Sequence, residues 1–332
     1  MTVGRDDSYR PILICNHFYE RERMCKSMKN EFYFPSSDGT NQIHAIEWMP
    51  KGEPKAVLQM CHGMVEHINR YHDFATYLAG QGYYVVGHDH LGHGKSVASV
   101  DKLGFFHEKH GNTYVVADIH QLRKDTQAKY PNVPYFMMGH SMGSFLVRQY
   151  IGVYGEGLAG AIIMGTGDQP DLVLGAGKVV CKTIAALKGW EYRSKLVDSM
   201  AAGGYDKQVK GEGESWLSRN RANVENYKKD PLSGYMFTVN AYYHMFSGMA
   251  RMNQQEKAGK IPKDLPIYFV AGDKDPVGNC GKAVENVYKR YQNCGMKDVE
   301  MKLYKDDRHE ILNELDKEQV YQDILTWLDK RN

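Results

Sequence analysis

The sequence contains no long apolar run, no closely spaced cysteine pair and no excess of charge of one sign. No stretch approaches the roughly 18 to 20 apolar residues that a membrane-spanning helix needs, and the N-terminal residues MTVGRDDSYRPILIC include no apolar segment of signal-peptide length. A cytoplasmic protein is therefore expected. Lys and Arg number 42 against 40 Asp and Glu, and they are scattered, so the chain also lacks the basic patch that nucleic-acid binding requires.

Cysteine occurs at six widely separated positions. None of these residues forms a CxxC pair or a spacing typical of metal ligands, so free thiols in a reducing compartment are expected rather than disulfides. The six residues are Cys15, Cys25, Cys61, Cys181, Cys280 and Cys294.

The composition is that of an ordinary globular protein, with 42% hydrophobic and 25% charged residues among 332. This length allows either two domains or one large domain with an insertion. Residues 1–28 are polar and aperiodic, and we interpret them as an N-terminal arm to which the sequence assigns no role. The strand-like runs at 30–34 and 43–48 flank a turn-rich segment and predict an antiparallel hairpin.

Short apolar runs alternate with amphipathic segments from residue 56 onwards. Runs that are apolar at nearly every position are typical of parallel strands buried on both faces, and they lie at 56–60, 83–87, 135–139, 160–165 and 266–272. We interpret residues 299–304 as the last strand. Helical periodicity occurs between and after them, at 74–81, 116–130, 144–155, 281–292 and 317–330. Together with the hairpin, this alternation predicts a mostly parallel, doubly wound, eight-stranded α/β sheet.

One long segment interrupts the alternation. Residues 168–263 have helical spacing throughout and no comparable strand, so they predict a helical cap domain inserted into an α/β core of residues 29–167 and 264–332. The cap is rich in apolar residues near 172–187 and in aromatic residues and methionines near 235–252. Core packing accounts for most of these side chains, and the functional alternative is an apolar tunnel or a lipid-facing patch.

A G-x-S-x-G motif lies at a predicted strand-to-helix junction, which is the context that this motif requires: Gly139-His140-Ser141-Met142-Gly143. Small residues on both sides allow a sharp turn that exposes the serine hydroxyl at the carboxyl edge of the sheet. The helix that begins there favours negative charge at its N-terminus, and the N–H of Met142 can donate to an oxyanion. The motif therefore predicts Ser141 as a nucleophile.

A serine nucleophile needs a base and a residue that orients the base. In hydrolases with this motif the order along the chain is Ser, Asp or Glu, and His, each after a late strand. Asp275 follows the run at 266–272, and His309 follows the run at 299–304. Asp273 competes with Asp275, and we favour Asp275 because Pro276 follows it in the loop.

The second oxyanion donor is expected in the loop after the third strand, where Cys61-His62-Gly63-Met64 places the N–H of Met64. Other motifs are weaker. A formal G-x-G-x-x-G at 155–160 ends a helix instead of following a strand, and the segment 94–96 lacks the first glycine of a phosphate-binding loop. The histidines around Asp89 suggest metal ligands, but a turn at the end of a strand explains them equally well, so no metal is predicted.

These motifs resemble the α/β-hydrolases of the monoacylglycerol lipase and lysophospholipase type. They occur in the same order and at similar spacing from about residue 30 to the C-terminus: His62-Gly63-Met64-Val65-Glu66-His67 with Arg70-Tyr71, Asp89-His90-Leu91-Gly92-His93-Gly94-Lys95-Ser96, Gly139-His140-Ser141-Met142-Gly143, Gly272-Asp273-Lys274-Asp275 and His309-Glu310.

The resemblance implies Ser141, Asp275 and His309 as the catalytic triad and Met64 and Met142 as oxyanion donors. It implies an ester of one fatty acyl chain as substrate. The apolar segments of the cap suggest contact with a lipid surface, and chemistry by a triad needs no metal or organic cofactor. The chain departs from the family in three respects. Ser144 stands where a further glycine is common, the N-terminal arm is extra, and the cap matches only loosely.

We hypothesise a carboxylic-ester hydrolase that forms an acyl-enzyme. A second hypothesis keeps the triad and changes the substrate to a peptide, a thioester or a non-lipid ester, because the cap and not the motif selects the substrate. A third is a non-catalytic hydrolase fold that binds a small hydrophobic ligand.

Overall fold

The computed structural model describes residues 28–201, 203–209 and 215–332. All but the last residue of the predicted N-terminal arm, and with them Cys15 and Cys25, lie outside this part of the chain. The four cysteines within it, Cys61, Cys181, Cys280 and Cys294, are free thiols.

Eight strands of the described chain form one sheet: β1 Met28–Pro35, β2 Gln42–Met49, β3 Ala56–Cys61, β4 Tyr83–His88, β5 Tyr135–His140, β6 Gly160–Met164, β7 Ile267–Gly272 and β8 Val299–Tyr304. Their order is β1-β2-β4-β3-β5-β6-β7-β8. The first two strands form the predicted antiparallel hairpin, and β2 is also antiparallel to β4. All other neighbours are parallel, so their carboxyl ends meet at one edge of the sheet.

Ten α-helices are described: α1 His72–Gly80, α2 Gly111–Lys129, α3 Met142–Tyr154, α4 Asp171–Lys188, α5 Lys195–Ala201, α6 Tyr205–Gln208, α7 Arg221–Lys229, α8 Val239–Lys257, α9 Lys282–Asn293 and α10 Lys317–Asp329. The five predicted core helices all occur, with shifted ends. The largest shift is in α2, which begins five residues before the predicted start at 116 because its first turn contains Gly111 and Asn112, which carry no apolar periodicity.

Helices cover both faces of the sheet, as the apolar runs predicted. On one face α2, α3 and α9 pack against residues such as Val57 and Ile163, and on the other α1 and α10 pack against Leu58 and Ile162. Adjacent strand residues point to opposite faces, so a strand with both faces covered must be apolar at nearly every position. The predicted doubly wound α/β fold is therefore confirmed.

The helices α4 to α8 lie between β6 and β7, and the described residues between those strands include no further strand. We call residues 168–263 the cap, and the division of the chain at these residues stays a prediction. The end of α8 is fixed to the core, because the carboxylate of Glu256 accepts two hydrogen bonds of 2.8 and 3.0 Å from the fully buried Arg148 on α3. None of the helices in the described part of the chain has the length and apolarity that crossing a bilayer requires.

Candidate active site

Ser141 occupies the sharp turn between β5 and α3. Its φ of 54° and ψ of −119° lie outside the regions that L-residues ordinarily adopt, which costs on the order of 1 to 3 kcal/mol. Two glycines make the turn possible, since a Cβ on Gly139 would lie 2.2 Å from the Gly143 oxygen and one on Gly143 would lie 2.1 Å from the Cys61 oxygen. The predicted strand-turn-helix geometry of the motif is therefore present.

Hydrogen bonds hold the backbone of Ser141 on both sides. Its N–H donates to the oxygen of Met164 on the neighbouring strand, at 3.0 Å. Its carbonyl oxygen accepts from the hydroxyl of Ser144 at 2.6 Å and from the N–H of the same residue at 2.9 Å. The serine that replaces the family's usual glycine thus makes its own contact with the turn.

Asp275 and His309 meet at the same edge of the sheet. Asp275 lies in the loop after β7 and is fully buried, and His309 lies in the loop after β8. Oδ2 of Asp275 is 2.9 Å from Nδ1 of His309, while its other oxygen accepts the N–H of Val277 at 2.9 Å. An ionised carboxylate only accepts, so Nδ1 carries the proton and Nε2 is left as the basic nitrogen.

Asp273, the alternative to Asp275, has a different partner. Its carboxylate accepts the N–H of Asp306 at 2.8 Å, which ties the loop after β7 to the loop after β8. Of the two aspartates that the sequence left open, the structure brings only Asp275 to His309.

Aromatic rings flank His309. The His140 ring centroid is 4.6 Å from that of His309, and Trp216 of the cap lies 5.0 Å away on another side. The cap also contacts the backbone of this loop, because the N–H of Glu310 donates to the oxygen of Leu217 at 2.8 Å. The position of the candidate base therefore depends on the cap as well as on the core.

The loop after β3 approaches Ser141 closely. A Cβ on Gly63 would lie 3.1 Å from the Cβ of Ser141, so only glycine allows this distance without displacement. The His62 ring accepts the N–H of His90 on Nε2 at 2.9 Å and donates from Nδ1 to the oxygen of Gly63 at 2.7 Å. Burial lowers the pKa of His62, which agrees with this neutral form.

The contact from His62 orients a peptide group. In a trans peptide the C=O and the following N–H point in opposite directions, so fixing the Gly63 oxygen also fixes the direction of the Met64 N–H. Met142 is the first residue of α3, and its N–H has no acceptor four residues earlier in the helix. Both predicted oxyanion donors therefore flank Ser141 with a defined backbone, and their role stays a prediction.

A buried carboxylate supports the same loop. Oε1 of Glu66 accepts the N–H of Gly63 at 2.6 Å and the hydroxyl of Tyr71 at 2.8 Å, and its other oxygen accepts from Arg70 at 2.5 Å. Burial alone would raise the pKa of Glu66, but the charges of Arg70 and His140 hold it well below its usual value. Glu66 is therefore an anion in the folded protein.

Arg70 links this carboxylate to the loop of the candidate base and to the cap. It donates to both oxygens of Glu310 at 2.6 and 2.8 Å, and Asn223 of α7 donates to the same carboxylate at 2.6 Å. The Tyr227 ring lies 4.8 Å from the guanidinium. Glu310 is buried, yet the charge of Arg70 lowers its pKa.

His140 is the second cation beside the two carboxylates, Glu66 and Glu310. The Tyr71 hydroxyl donates its proton to Glu66, so the Nδ1 of His140, 2.9 Å from that hydroxyl, must be the donor to it. Nε2 lies 3.1 Å from the carbonyl oxygen of His309, which can only accept. Both ring nitrogens therefore carry protons. Burial opposes this cation, but Glu66 raises the pKa of His140 above its usual value.

The sequence identified Glu66, Arg70 and Glu310 only as members of motifs, without a role. The signal in the sequence was weak: Glu66 and Arg70 have opposite charges and are four residues apart. Asn223 and Trp216 carried no signal, because their approach to the site depends on how the cap folds back over the core.

The histidines around Asp89 are buried in the core. Burial lowers the pKa of His88 and of His93 to about 3, and lowers that of His90 well below its usual value. Throughout the described residues, no group of His, Cys, Asp and Glu side chains is arranged to hold a metal ion. These rings instead pack against one another and against Phe106 and Phe237.

An apolar cavity lies beside Met142, between α3 of the core and α8 of the cap. Its volume is only about 10 Å³, which is room for about one water molecule. Apart from two buried amides and a glycine, its walls are apolar side chains: Phe106, Met142, Phe145, Leu146, Met245 and Met249. An apolar group bound next to a predicted oxyanion donor would therefore contact phenylalanine, leucine and methionine side chains.

A doubly wound sheet with a serine in a strained strand-to-helix turn, and an Asp–His pair after its last two strands, defines the serine hydrolases of the α/β-hydrolase fold. A family model described as serine aminopeptidase, S33, matches residues 52–316. The chain belongs to this hydrolase family, and it is a serine hydrolase of the lipase and esterase type.

Its relatives include lipases and an esterase. The chain is 26% identical to a monoacylglycerol lipase of Mycolicibacterium smegmatis over 308 residues, which cover 92% of this chain and 99% of the relative. It is 27% identical to the human monoglyceride lipase over 290 residues, 86% of each chain. Among solved structures, a thermostable carboxyl esterase from Bacillus coagulans in complex with glycerol is 28% identical, with a TM-score of 0.84 over 91% of this chain and 98% of the other.

Proposed function

We propose that this protein hydrolyses esters of a single fatty acyl chain, such as a monoacylglycerol or a lysophospholipid, with Ser141 as nucleophile. The observation that carries the proposal is the buried pair of Asp275 and His309, with Oδ2 and Nδ1 2.9 Å apart, at the sheet edge where Ser141 follows β5. A serine activated by an imidazole that a carboxylate orients is the arrangement used for acyl transfer.

In the first half of the proposed reaction, Nε2 of His309 takes the proton of Ser141 while Oγ attacks the ester carbonyl carbon. The carbonyl oxygen becomes an oxyanion that accepts hydrogen bonds from the N–H groups of Met64 and Met142. Asp275 stabilises the imidazolium that forms. The C–O bond to the alcohol then breaks, the alcohol leaves with the proton from His309, and the acyl group remains on Ser141 as an ester.

The second half repeats these roles with water. His309 takes a proton from the water molecule, whose oxygen attacks the acyl carbon, and the same two N–H groups hold the second oxyanion. Oγ of Ser141 leaves with the proton from His309, and the fatty acid is released. All groups in this sequence belong to the protein, the substrate and water.

The apolar side chains beside Met142 support an acyl ester as substrate, because they offer an apolar surface next to a predicted oxyanion donor. The names of the relatives agree, because two are monoacylglycerol or monoglyceride lipases and the esterase structure contains glycerol. The length of the substrate's acyl chain and the identity of its alcohol group are parts of the same proposal.

The family description names an aminopeptidase, which makes a peptide substrate the second candidate. Such an enzyme needs an anionic side chain that is available to the α-ammonium group of the substrate. Two buried carboxylates beside the site, Glu66 and Glu310, are both already paired with Arg70. This pairing favours a neutral acyl ester.

Contact with a lipid surface is also part of the proposal. Helix α4 of the cap exposes large apolar side chains: Leu172 is 84% and Leu187 80% exposed, and Val173 and Val179 are more than half exposed. Lys182 and Lys188 belong to the same helix. Apolar residues flanked by lysines suit an interface that contains anionic lipid.

The proposal is tested by assaying a ladder of esters, from p-nitrophenyl acetate to long-chain monoacylglycerol and lysophospholipid, with the wild type and Ser141→Ala. We expect the variant to retain the folded circular dichroism spectrum and to lose at least about 10³-fold in kcat for every ester that the wild type hydrolyses. Ser37→Ala, at an exposed position after β1, is the matched control and should retain the activity. Equal rates for Ser141→Ala and the wild type would contradict the proposal.

A further inference from the structure

A short segment of the cap, residues 215–219, runs along the loop that contains His309. The backbone oxygen of Trp216 accepts the N–H of His309 at 3.4 Å, and the backbone oxygen of Leu217 accepts the N–H of Glu310 at 2.8 Å. Two successive N–H groups of this core loop, including that of the candidate base, therefore donate to the backbone of the cap.

The N–H of Arg308, the residue before the base, donates to a buried carboxylate. Its acceptor is Oε1 of Glu314, at 3.0 Å, and Glu314 is only 1% exposed. The same carboxylate accepts from Arg219 of the cap, whose backbone N–H lies 3.0 and 3.1 Å from its two oxygens and whose Nε lies 3.3 Å from Oε2. Glu314 thus connects Arg219 to the backbone next to the base.

The guanidinium of Arg219 also binds the residue two positions before the base. Its Nη2 donates to the carboxylate of Asp307, which is fully buried. The carbonyl oxygen of Asp307 accepts the N–H of Lys274, the residue before Asp275, at 2.9 Å. Arg219 therefore supports the loop of His309 at the point where it contacts the loop of the candidate aspartate.

The positive charge of Arg219 lies among three carboxylates. Asp316 is the third, with Oδ1 2.9 Å from Nη2 of Arg219. Burial and the charges of Asp316 and Glu314 raise the pKa of Asp307 above its usual value, and the charge of Arg219 opposes this rise. Without this cation, the carboxylates would repel one another, and the buried ones would lack a charged partner. The loop would then lose the contacts that hold it in place.

We propose that Arg219 is a positioning residue for His309. In the proposed reaction, Nε2 of His309 must face the hydroxyl of Ser141, and a displacement of about 1 Å lowers a rate by about 10²-fold. Arg219 acts on the base through Glu314 and Asp307 and takes no part in bond making or breaking. This inference rests on the proposed function and adds a cap residue on which the proton transfer depends.

The test compares two arginines that join the cap to the core. Arg219→Met removes the cation, and Arg219→Lys keeps the charge but lacks the planar fork of donors. Arg193→Met is the matched control, because Arg193 is also half-buried and donates to core backbone oxygens, those of Leu103 at 2.7 Å and Asp101 at 3.1 Å. These oxygens belong to a different part of the core from the loop of the base.

Two properties of the base are measured, together with the melting temperature of each protein. The first is kcat and KM on the ester that the wild type hydrolyses fastest. The second is the downfield ¹H NMR signal of the proton that Nδ1 of His309 shares in its hydrogen bond with Asp275, assigned by its loss in His309→Gln. This signal reports the position of the imidazole and does not depend on turnover.

We expect Arg219→Met to lower kcat by about 10²-fold while KM stays within about threefold of the wild type. The Nδ1 proton signal should be broadened or lost in the same variant, because the imidazole no longer keeps one position against the carboxylate. Arg219→Lys should recover about tenfold of the lost kcat. Arg193→Met should keep the signal and stay within about threefold of the wild-type kcat.

Equal losses of kcat in Arg219→Met and Arg193→Met would overturn the inference, because Arg219 would then only attach the cap. A rise in KM at constant kcat would overturn it as well and would assign Arg219 to substrate binding. If Arg219→Met does not fold, Arg219→Lys decides, and a wild-type kcat in that variant contradicts the proposal.

The proposed function can fail independently of this inference. If the wild type hydrolyses no ester in a Ser141-dependent manner, the proposed function is wrong. The Nδ1 proton signals of Arg219→Met and Arg193→Met still show whether Arg219 holds the imidazole, and equal signals in the two variants would contradict that role.

Discussion

The guanidinium of Arg70 donates two hydrogen bonds to the carboxylate of Glu310, at 2.6 and 2.8 Å. Glu310 directly follows His309 in the chain, and Arg70 also binds Glu66, which holds the Gly63 loop. One buried cation therefore connects the loop of the candidate base with the loop of a predicted oxyanion donor. Asn223 of the cap also donates to Glu310, so the two loops and the cap meet at this carboxylate.

Replacing Arg70 should damage both stability and turnover. Arg70→Met leaves Glu66 and Glu310 buried without their cation, and we expect the free energy of unfolding to fall by about 3 to 5 kcal/mol. Arg70→Lys keeps the charge but cannot bind both carboxylates in the same planar geometry, so its loss should be intermediate. Urea denaturation and kcat/KM on an ester substrate measure the two effects.

The matched control is an exposed ion pair. Lys229 and Glu225 lie 3.2 Å apart on α7, and both side chains are more than half exposed. Lys229→Met should change the free energy of unfolding by less than about 1 kcal/mol. If Arg70→Met lowers the free energy of unfolding by no more than Lys229→Met does, the contacts of Arg70 do not stabilise the site.

The two aspartates after β7 offer a direct test of the triad. Asp275→Asn should lower kcat by about 10⁴-fold, because the amide can no longer hold Nδ1 of His309 as a donor. Asp273→Asn, two residues earlier, should stay within about tenfold of the wild type, since its carboxylate contacts the Asp306 backbone and Lys274 and not His309. Steady-state kinetics measure both losses. A larger loss of kcat in Asp273→Asn than in Asp275→Asn would assign the triad to Asp273.

His62 should affect kcat through the peptide that it orients. In His62→Phe the Gly63 oxygen loses its donor, and we expect kcat to fall by about 10² to 10³, the loss of roughly one oxyanion contact, with little change in KM. His62→Asn retains an N–H donor at this position and should recover part of the rate. His93→Phe, in the same ring cluster, is the control. A rise in KM at constant kcat would place His62 in substrate binding instead.

The buried histidines should make the protein sensitive to acid. Burial holds the pKa of His88 at about 3 in the folded state, while the unfolded chain takes up a proton near the ordinary value of 6.5. Because the pKa of His88 is lower in the folded state, the neutral ring stabilises the fold above about pH 6.5, and this contribution is lost as the pH falls below that value. Each such histidine should lower the free energy of unfolding by about 1.4 kcal/mol as the pH falls from about 7.5 to about 5.5.

The measurement is chemical denaturation at both pH values. His88→Gln keeps a polar side chain that does not titrate in this range, so its loss of stability on acidification should be smaller than that of the wild type by about 1.4 kcal/mol. His110→Gln, at an exposed position, should follow the wild type. If His88→Gln and the wild type lose the same stability between the two pH values, His88 is already protonated in the folded protein.

The strands and the turn at Ser141 were predictable because they depend on local patterns. A strand buried on both faces is apolar at nearly every position, and the strained turn at Ser141 needs glycine at 139 and 143 whatever surrounds it. The start of α2 was not predictable, since Gly111 and Asn112 pack against α8 and the Asn112 amide is buried by a partner 37 residues away in the chain.

Sequence alone thus determined the order of strands and helices, the class of chemistry and the candidate nucleophile, because periodicity and steric limits act between neighbouring residues. Only the tertiary structure decided that Asp275 and not Asp273 meets His309, that Arg70 joins Glu66 to Glu310, and that Asn112 pairs with Gln149. Each of these contacts joins residues from separate segments. Their distance depends on how the sheet and the cap pack together, and no local pattern in the chain encodes it.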